Sequence, residues 1–147
     1  MFKRILVATD GSPLSKKAVK SAIALAAQSD ADLVALTVVP RYPTNYFEGA
    51  MVFSHDDVAR IEKQWSEAAQ VTLDAASAHA KAAGVRIKTA VINSDLVADA
   101  IIAAAKKHKS DLIVMASHGR KGIKRLLLGS ETQHVLTRSA LPVLVLR

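Results

Sequence analysis

Short apolar runs alternate along this chain with longer segments in which apolar residues recur every three or four positions. The runs are typical of buried strands, and we predict five of them, at 5–8, 33–39, 85–92, 112–116 and 142–146. The segments between them have the periodicity of amphipathic helices. Because strands and helices alternate, the pattern predicts an α/β fold in which helices cover both faces of a doubly wound, five-stranded parallel sheet.

Capping residues mark the ends of the first two helices. Ser12 is a favourable N-cap, and Pro13 after it suits the first helical position. Ser54 and Asp57 have the spacing of a capping box, which predicts the start of the longest helix. Gly84 supplies a stop for that helix, because glycine readily adopts the left-handed conformation that ends helices.

Capping residues also predict the starts of the third and fourth helices. Asn93 or Ser94 is expected to cap the third helix. The fourth helix is predicted near 131–138, with Ser130 and Gln133 as its capping box.

The stretch 40–53 has neither the apolar run of a buried strand nor the periodicity of a helix, and we interpret it as a long loop. Tyr46 and Phe47 in this loop are candidates to cover a ligand site, which the sequence does not decide. Trp65, with apolar neighbours at helical spacing, is interpreted as a packing residue and not as a platform for a base.

The composition indicates how many domains the chain forms and which kinds of partner it is expected to bind. The chain has 147 residues, half of them apolar, which suits one domain over 1–147. The net charge of +7 favours anionic ligands, but aromatic residues make up only 4% and are absent from the most basic segments, so no nucleic-acid partner is expected. Neither a signal-type apolar region nor a run of about 20 apolar residues is evident, so we expect a cytoplasmic protein without membrane contact.

The loops after the first and fourth strands carry the candidate chemistry, because ligands of doubly wound sheets bind beyond the carboxyl ends of the strands. Gly119 directly follows the fourth strand, and Gly129 precedes the last helix. The unpaired amides at a helix start bind phosphate well. Between the two glycines lie four cations that either add charge to the site or form an ordinary solvated face: Arg120, Lys121, Lys124 and Arg125.

The segment Ala116-x2-Gly119-x9-Gly129-Ser130 resembles the nucleotide loop of the universal stress protein family, G-x2-G-x9-G-[S/T]. The resemblance covers the whole chain, from the opening KRILVATDGS to the closing PVLVL. It implies strand order 3-2-1-4-5 in a three-layer sandwich like that of the adenine nucleotide alpha-hydrolases. It also implies a homodimer joined through the last strand, from Pro142 to Leu146, and ATP with Mg2+ between the first and fourth strands.

The resemblance also assigns the binding residues. Those near the adenosine are Ala8, Thr9, Asp10, Val38, Met115 and Ala116. Those near the phosphates are Gly119, Gly129, Ser130, Glu131 through its backbone, and Thr132. Asp10 has three open roles: a ligand of a phosphate-bound metal, a contact to the ribose or base, or a helix cap. Ala116 departs from the glycine of the motif; its methyl is tolerated if the local φ is negative and otherwise crowds the ribose.

No residue is assigned a catalytic role. His118 lies in the loop after the fourth strand, but no Ser-His-Asp or paired-carboxylate arrangement surrounds it in the sequence. The five histidines have no repeated metal spacing, so no structural metal is expected. Neither a P-loop nor a G-x-G-x-x-G turn is present, and the paired acids of a phospho-receiver domain are missing.

The expected function is therefore that of an ATP-binding sensor or regulator in the stress response, with a protein partner that the sequence does not identify. Two alternatives stay open. One is a nucleotide-free dimeric module that acts through protein contacts, with Ala116 as the mark of a degraded pocket. The other is a slow ATP hydrolase.

Overall fold

The structure is a computed structural model that describes residues 1–42, 54–119 and 128–147. Tyr46, Phe47 and the basic segment 120–127 lie outside these residues. Five strands alternate with four helices along the chain: β1 Arg4–Ala8, α1 Pro13–Ser29, β2 Asp32–Val39, α2 His55–Ala82, β3 Ile87–Asn93, α3 Val97–Lys107, β4 Leu112–Ala116, α4 Ser130–Arg138 and β5 Val143–Leu146.

The strands form one parallel sheet in the order β3-β2-β1-β4-β5, which confirms the predicted α/β fold and strand order. In the register, Val7 of β1 lies between Ala35 of β2 and Val114 of β4. The strand order reverses between β1 and β4. The carboxyl ends of these two strands therefore flank the position where such sheets bind ligands.

Two apolar cores lie on opposite faces of the sheet. On one face, α1 and α2 cover residues such as Ile5, Leu33 and Leu112. On the other, α3 and α4 cover Leu6 and Ile113, among others. Successive strand residues enter different cores because side chains of a strand alternate between faces, and both faces are buried.

The predicted N-caps of α1 and α2 are confirmed. Ser12 is the N-cap of α1, and its hydroxyl accepts a hydrogen bond from the amide of Ser15 over 3.3 Å. Ser54 caps α2 in the same way, accepting from the amide of Asp57 over 3.2 Å. Gly84 follows the C-terminus of α2 with a φ of +74°, the left-handed conformation expected of it.

The predicted caps of the last two helices are wrong. The N-cap of α3 is Leu96, because Ser94 uses its hydroxyl to accept from the Leu96 amide (3.1 Å) in the preceding turn. The N-cap of α4 is Gly129, and Ser130 is the first helical residue. β3 also begins at Ile87, two residues later than predicted.

Trp65 is less buried than its predicted packing role implies. Its side chain is 37% exposed, and its ring stacks on that of Tyr42 with centroids 6.0 Å apart. Among the helices that the structure describes, none combines the length and the apolar character needed to span a membrane.

Candidate functional site

A crevice opens at the carboxyl ends of β1 and β4. It encloses about 570 Å³, including the part that is open to solvent. Nine of the eleven predicted site residues line it: Ala8, Thr9, Asp10, Val38, Met115, Ala116, Gly119, Glu131 and Thr132. Gly129 and Ser130 are not among the lining residues, although they directly precede Glu131.

Hydrogen bonds fix the loop after β1 at the mouth of the crevice. The amide of Thr9 donates to the carbonyl of Leu36 over 2.9 Å, and its hydroxyl lies 2.9 Å from that of Ser15. Gly11 turns the chain with a φ of +80°, which glycine adopts without steric cost. Asp10 then accepts a hydrogen bond from the amide of Ser12 over 2.9 Å. The third role left open for Asp10, support of the α1 start, is therefore present in the structure.

Gly119 and Asp10 lie against each other across the crevice. A Cβ atom added at Gly119 would overlap the carboxylate oxygen Oδ2 of Asp10. The absence of a side chain at Gly119 thus lets the loop after β4 approach the loop after β1. A side chain at Gly119 would therefore require the Asp10 carboxylate to move.

The first turn of α4 is anchored to the end of β4. The amide of Gly129 donates to the carbonyl of Ser117 over 2.7 Å, and the hydroxyl of Thr132 donates to the carbonyl of Ala116 over 2.9 Å. Within the described residues, no side chain caps this helix. The amides of its first turn, which have no partner within a helix, are therefore available to a ligand in the crevice.

Glu131 uses its side chain elsewhere. Its Oε2 atom accepts a hydrogen bond from the amide of Ala98 in the first turn of α3 over 3.2 Å. α3 has no capping side chain of its own, so Glu131 performs this role from the neighbouring helix. This leaves the backbone of Glu131 for a ligand, in keeping with the predicted role.

Sequence reasoning missed part of the crevice wall. The structure adds five lining residues: Ser15, Leu36, Val97, Ile101 and His118. Leu36 precedes Val38 by two positions and shares its face of β2, which alternation along the strand could have indicated. Val97 and Ile101 are one helical turn apart, but their placement depends on how α3 crosses the sheet.

The backbone conformation of Ala116 shows whether its methyl group is tolerated in the motif. It lies at the end of β4, is 7% exposed, and is not among the residues with positive φ. Alanine is therefore unstrained at this position of the motif.

His118 also lines the crevice, and its Nδ1 atom lies 3.2 Å from the hydroxyl oxygen of Ser117.

Comparisons with known proteins place the chain in a family. The model of the universal stress protein family matches residues 1–147. The universal stress protein MJ0531 of Methanocaldococcus jannaschii is 35% identical over 147 residues, which cover 100% of this chain and 83% of that protein. Among the solved structures with a similar fold are MJ0577 and a universal stress protein in complex with cAMP. MJ0577 of the same organism has a TM-score of 0.83 and 25% identity, with 99% of this chain and 96% of that chain covered.

The second is a universal stress protein solved in complex with cAMP, with a TM-score of 0.70 and 29% identity over 99% of this chain and 97% of that one. Together with the glycine loop and the strand order, these matches leave one conclusion: this chain belongs to the universal stress protein family.

Proposed function

We propose that the crevice binds ATP and that its occupancy makes the protein a nucleotide-dependent sensor or regulator in the stress response. The observation that carries the proposal is the uncapped start of α4 beside an apolar wall. A helix start favours phosphate, through its amides and its dipole, whereas the wall favours a base. The relative in complex with cAMP, at 29% identity, supports an adenine nucleotide.

Each part of the nucleotide has a matching part of the crevice. The adenine lies against Val38 and Met115, which line the crevice from β2 and β4. The ribose lies near Asp10 and Ala116. The phosphates accept hydrogen bonds from the backbone amides of Ser130, Glu131 and Thr132, which lie in the first turn of α4. Gly119 and Gly129 allow the backbone to approach them.

Mg2+ fits this arrangement, because it is usually held by one or two carboxylates together with substrate phosphates. Asp10 lies in the crevice lining beside Gly119 while its Oδ1 atom accepts from the Ser12 amide, whereas the carboxylate of Glu131 accepts from the amide of Ala98 in α3. Asp10 is therefore the carboxylate that would hold the ion, which would offset phosphate charge. Among the described lining residues we assign no general base, so hydrolysis is at most slow.

The proposed assembly is a homodimer joined through β5. This strand is at the edge of the sheet, and Leu144 on it is 39% exposed. An exposed apolar edge strand favours pairing with another chain. We further propose that the protein acts in the cytoplasm through a protein partner.

The test begins with protein purified without added nucleotide. After denaturation, the released small molecules are separated by chromatography and identified by mass spectrometry. Adenine nucleotide at nearly one per chain, or a melting temperature that rises with ATP and not with GTP, is the expected result. Neither nucleotide nor a shift would contradict the proposal and favour a module that acts through protein contacts alone. Rapid phosphate release would instead favour a hydrolase.

A further inference from the structure

A second cleft lies at the opposite edge of the sheet, where β1, β2 and β3 begin. It encloses about 820 Å³, including the part that is open to solvent. We call it the basic cleft, because five of the ten described residues that line it are Lys or Arg: Arg4, Arg86, Lys88, Lys107 and Lys109. The other five are Asp32, Leu33, Val34, Ile87 and His108. None of these ten residues is among the described residues that line the crevice.

The two arginines of the basic cleft are engaged in the structure. Arg4 donates from Nη1 to the carbonyl of His108 over 3.0 Å and lies 3.6 Å from Asp32. Arg86 hydrogen-bonds to Asp32 and lies 3.8 Å from Asp30. The hydrogen bond from Arg86 lowers the pKa of Asp32. Asp32, the one acid among the described lining residues, is therefore already paired with both arginines.

The three lysines differ from the arginines. Lys88, Lys107 and Lys109 are exposed, and none of them forms a salt bridge within the part of the chain that the structure describes. The dipole of α3 accounts for Lys107 in its last turn. It does not account for Lys88, which β3 brings to the same cleft. Three positive charges from separate elements thus lie in one cleft, and no acid among the described residues pairs with them.

We propose that the basic cleft binds a compact oligophosphate anion. Lysine ammonium groups act as mobile point charges that hold phosphate without the fixed geometry of arginine. An anion with several charges matches the three positive charges that line the same cleft. None of the described residues that line the cleft is Phe, Tyr or Trp, so they offer no aromatic ring on which a base could stack. The chemistry recognised is therefore the phosphate chain.

The experiment titrates the protein with inorganic tripolyphosphate at fixed low ionic strength and follows backbone amides by NMR. The test variant combines Lys88→Gln, Lys107→Gln and Lys109→Gln. The matched control combines Lys20→Gln, Lys63→Gln and Lys81→Gln, which removes the same charge from exposed positions of α1 and α2. All six lysines are exposed, so both triple variants should fold. The single variant Lys88→Gln removes one charge from the basic cleft and is the milder form of the test variant.

The proposal predicts amide shifts at Val34, Ile87 and His108 in the original chain. The test variant should bind about tenfold more weakly, since three screened charge contacts are lost, while the control keeps its affinity. Equal losses in both variants would show an effect of net charge alone and overturn the proposal. So would shifts confined to Gly119 and Thr132 in the crevice. Tighter binding of a pentaglutamate peptide than of tripolyphosphate would overturn the phosphate assignment in favour of an acidic peptide.

Discussion

The carboxylate of Glu131 accepts a hydrogen bond from the backbone amide of Ala98 over 3.2 Å, so α4 supplies the cap that α3 lacks. Arg138 and Asp99, 3.0 Å apart, join the same two helices a second time. Both helices contribute to the crevice, α4 through its first turn and α3 through its apolar side chains. The proposed phosphate and adenine subsites are thus connected directly.

Glu131→Ala should lower the free energy of unfolding by about 1 kcal/mol, the usual cost of a lost N-cap. Glu131→Gln should recover most of this loss, because its amide oxygen can still accept from Ala98. Urea denaturation of the three proteins measures the difference. Equal destabilisation by both variants would show that the charge of Glu131 matters and the hydrogen bond does not.

Gly129→Leu should abolish the stabilisation of the protein by ATP. A Cβ atom added at this position would lie only 3.3 Å from the Cα atom of His118 and from the carbonyl oxygen of Ser117. A larger side chain must displace the loop that meets the start of α4. The expected loss of stability is about 1–3 kcal/mol, typical of overpacking. Isothermal titration with ATP measures the effect on affinity.

Gly84→Ala is the matched control for this loss of stability. Gly84 has a φ of +74°, so alanine is strained there, but the position follows α2 and is not part of the crevice lining. We expect a cost of about 1 kcal/mol with unchanged ATP affinity. If Gly84→Ala weakened ATP binding as much as Gly129→Leu, the assignment of the glycine loop would be wrong.

Local patterns predicted the alternation of strands and helices and the first two helix caps, whereas the strand order and most of the crevice lining came from the resemblance to the family. Contacts between elements that are distant in the sequence were not predicted. The cap of α3 comes from Glu131, 33 residues away from Ala98 along the chain, and no spacing rule connects the two. Ile101 reaches the crevice for the same kind of reason, since its position depends on the packing of α3. Whether Ala116 is strained depended on a backbone angle that the sequence does not contain.

Leu144→Lys should convert the proposed dimer into a monomer. Lysine on an edge strand opposes pairing with another strand, and Leu144 is 39% exposed on β5. Val71→Lys is the control, because Val71 is 69% exposed on α2, outside the proposed interface. Sedimentation velocity should show a dimer for the original chain and for the control. A monomeric original chain, or a dimer that persists in Leu144→Lys, would contradict the assignment of β5.

Asp32 should make the stability of the protein depend on acid pH. The hydrogen bond from Arg86, followed by the charges of Arg86 and Arg4, outweighs desolvation and lowers the pKa of Asp32 from its usual value of 3.8. Since the folded-state pKa is the lower one, the stabilisation is complete above the unfolded-state value and is lost as the pH falls through the folded-state pKa. Asp32→Asn should therefore be less stable than the original chain at neutral pH, and this difference should shrink below about pH 4. Arg86→Gln should remove part of the same pH dependence. Urea denaturation between neutral and acid pH tests this, and a difference that does not change with pH would show that Asp32 contributes through packing and not through its charge.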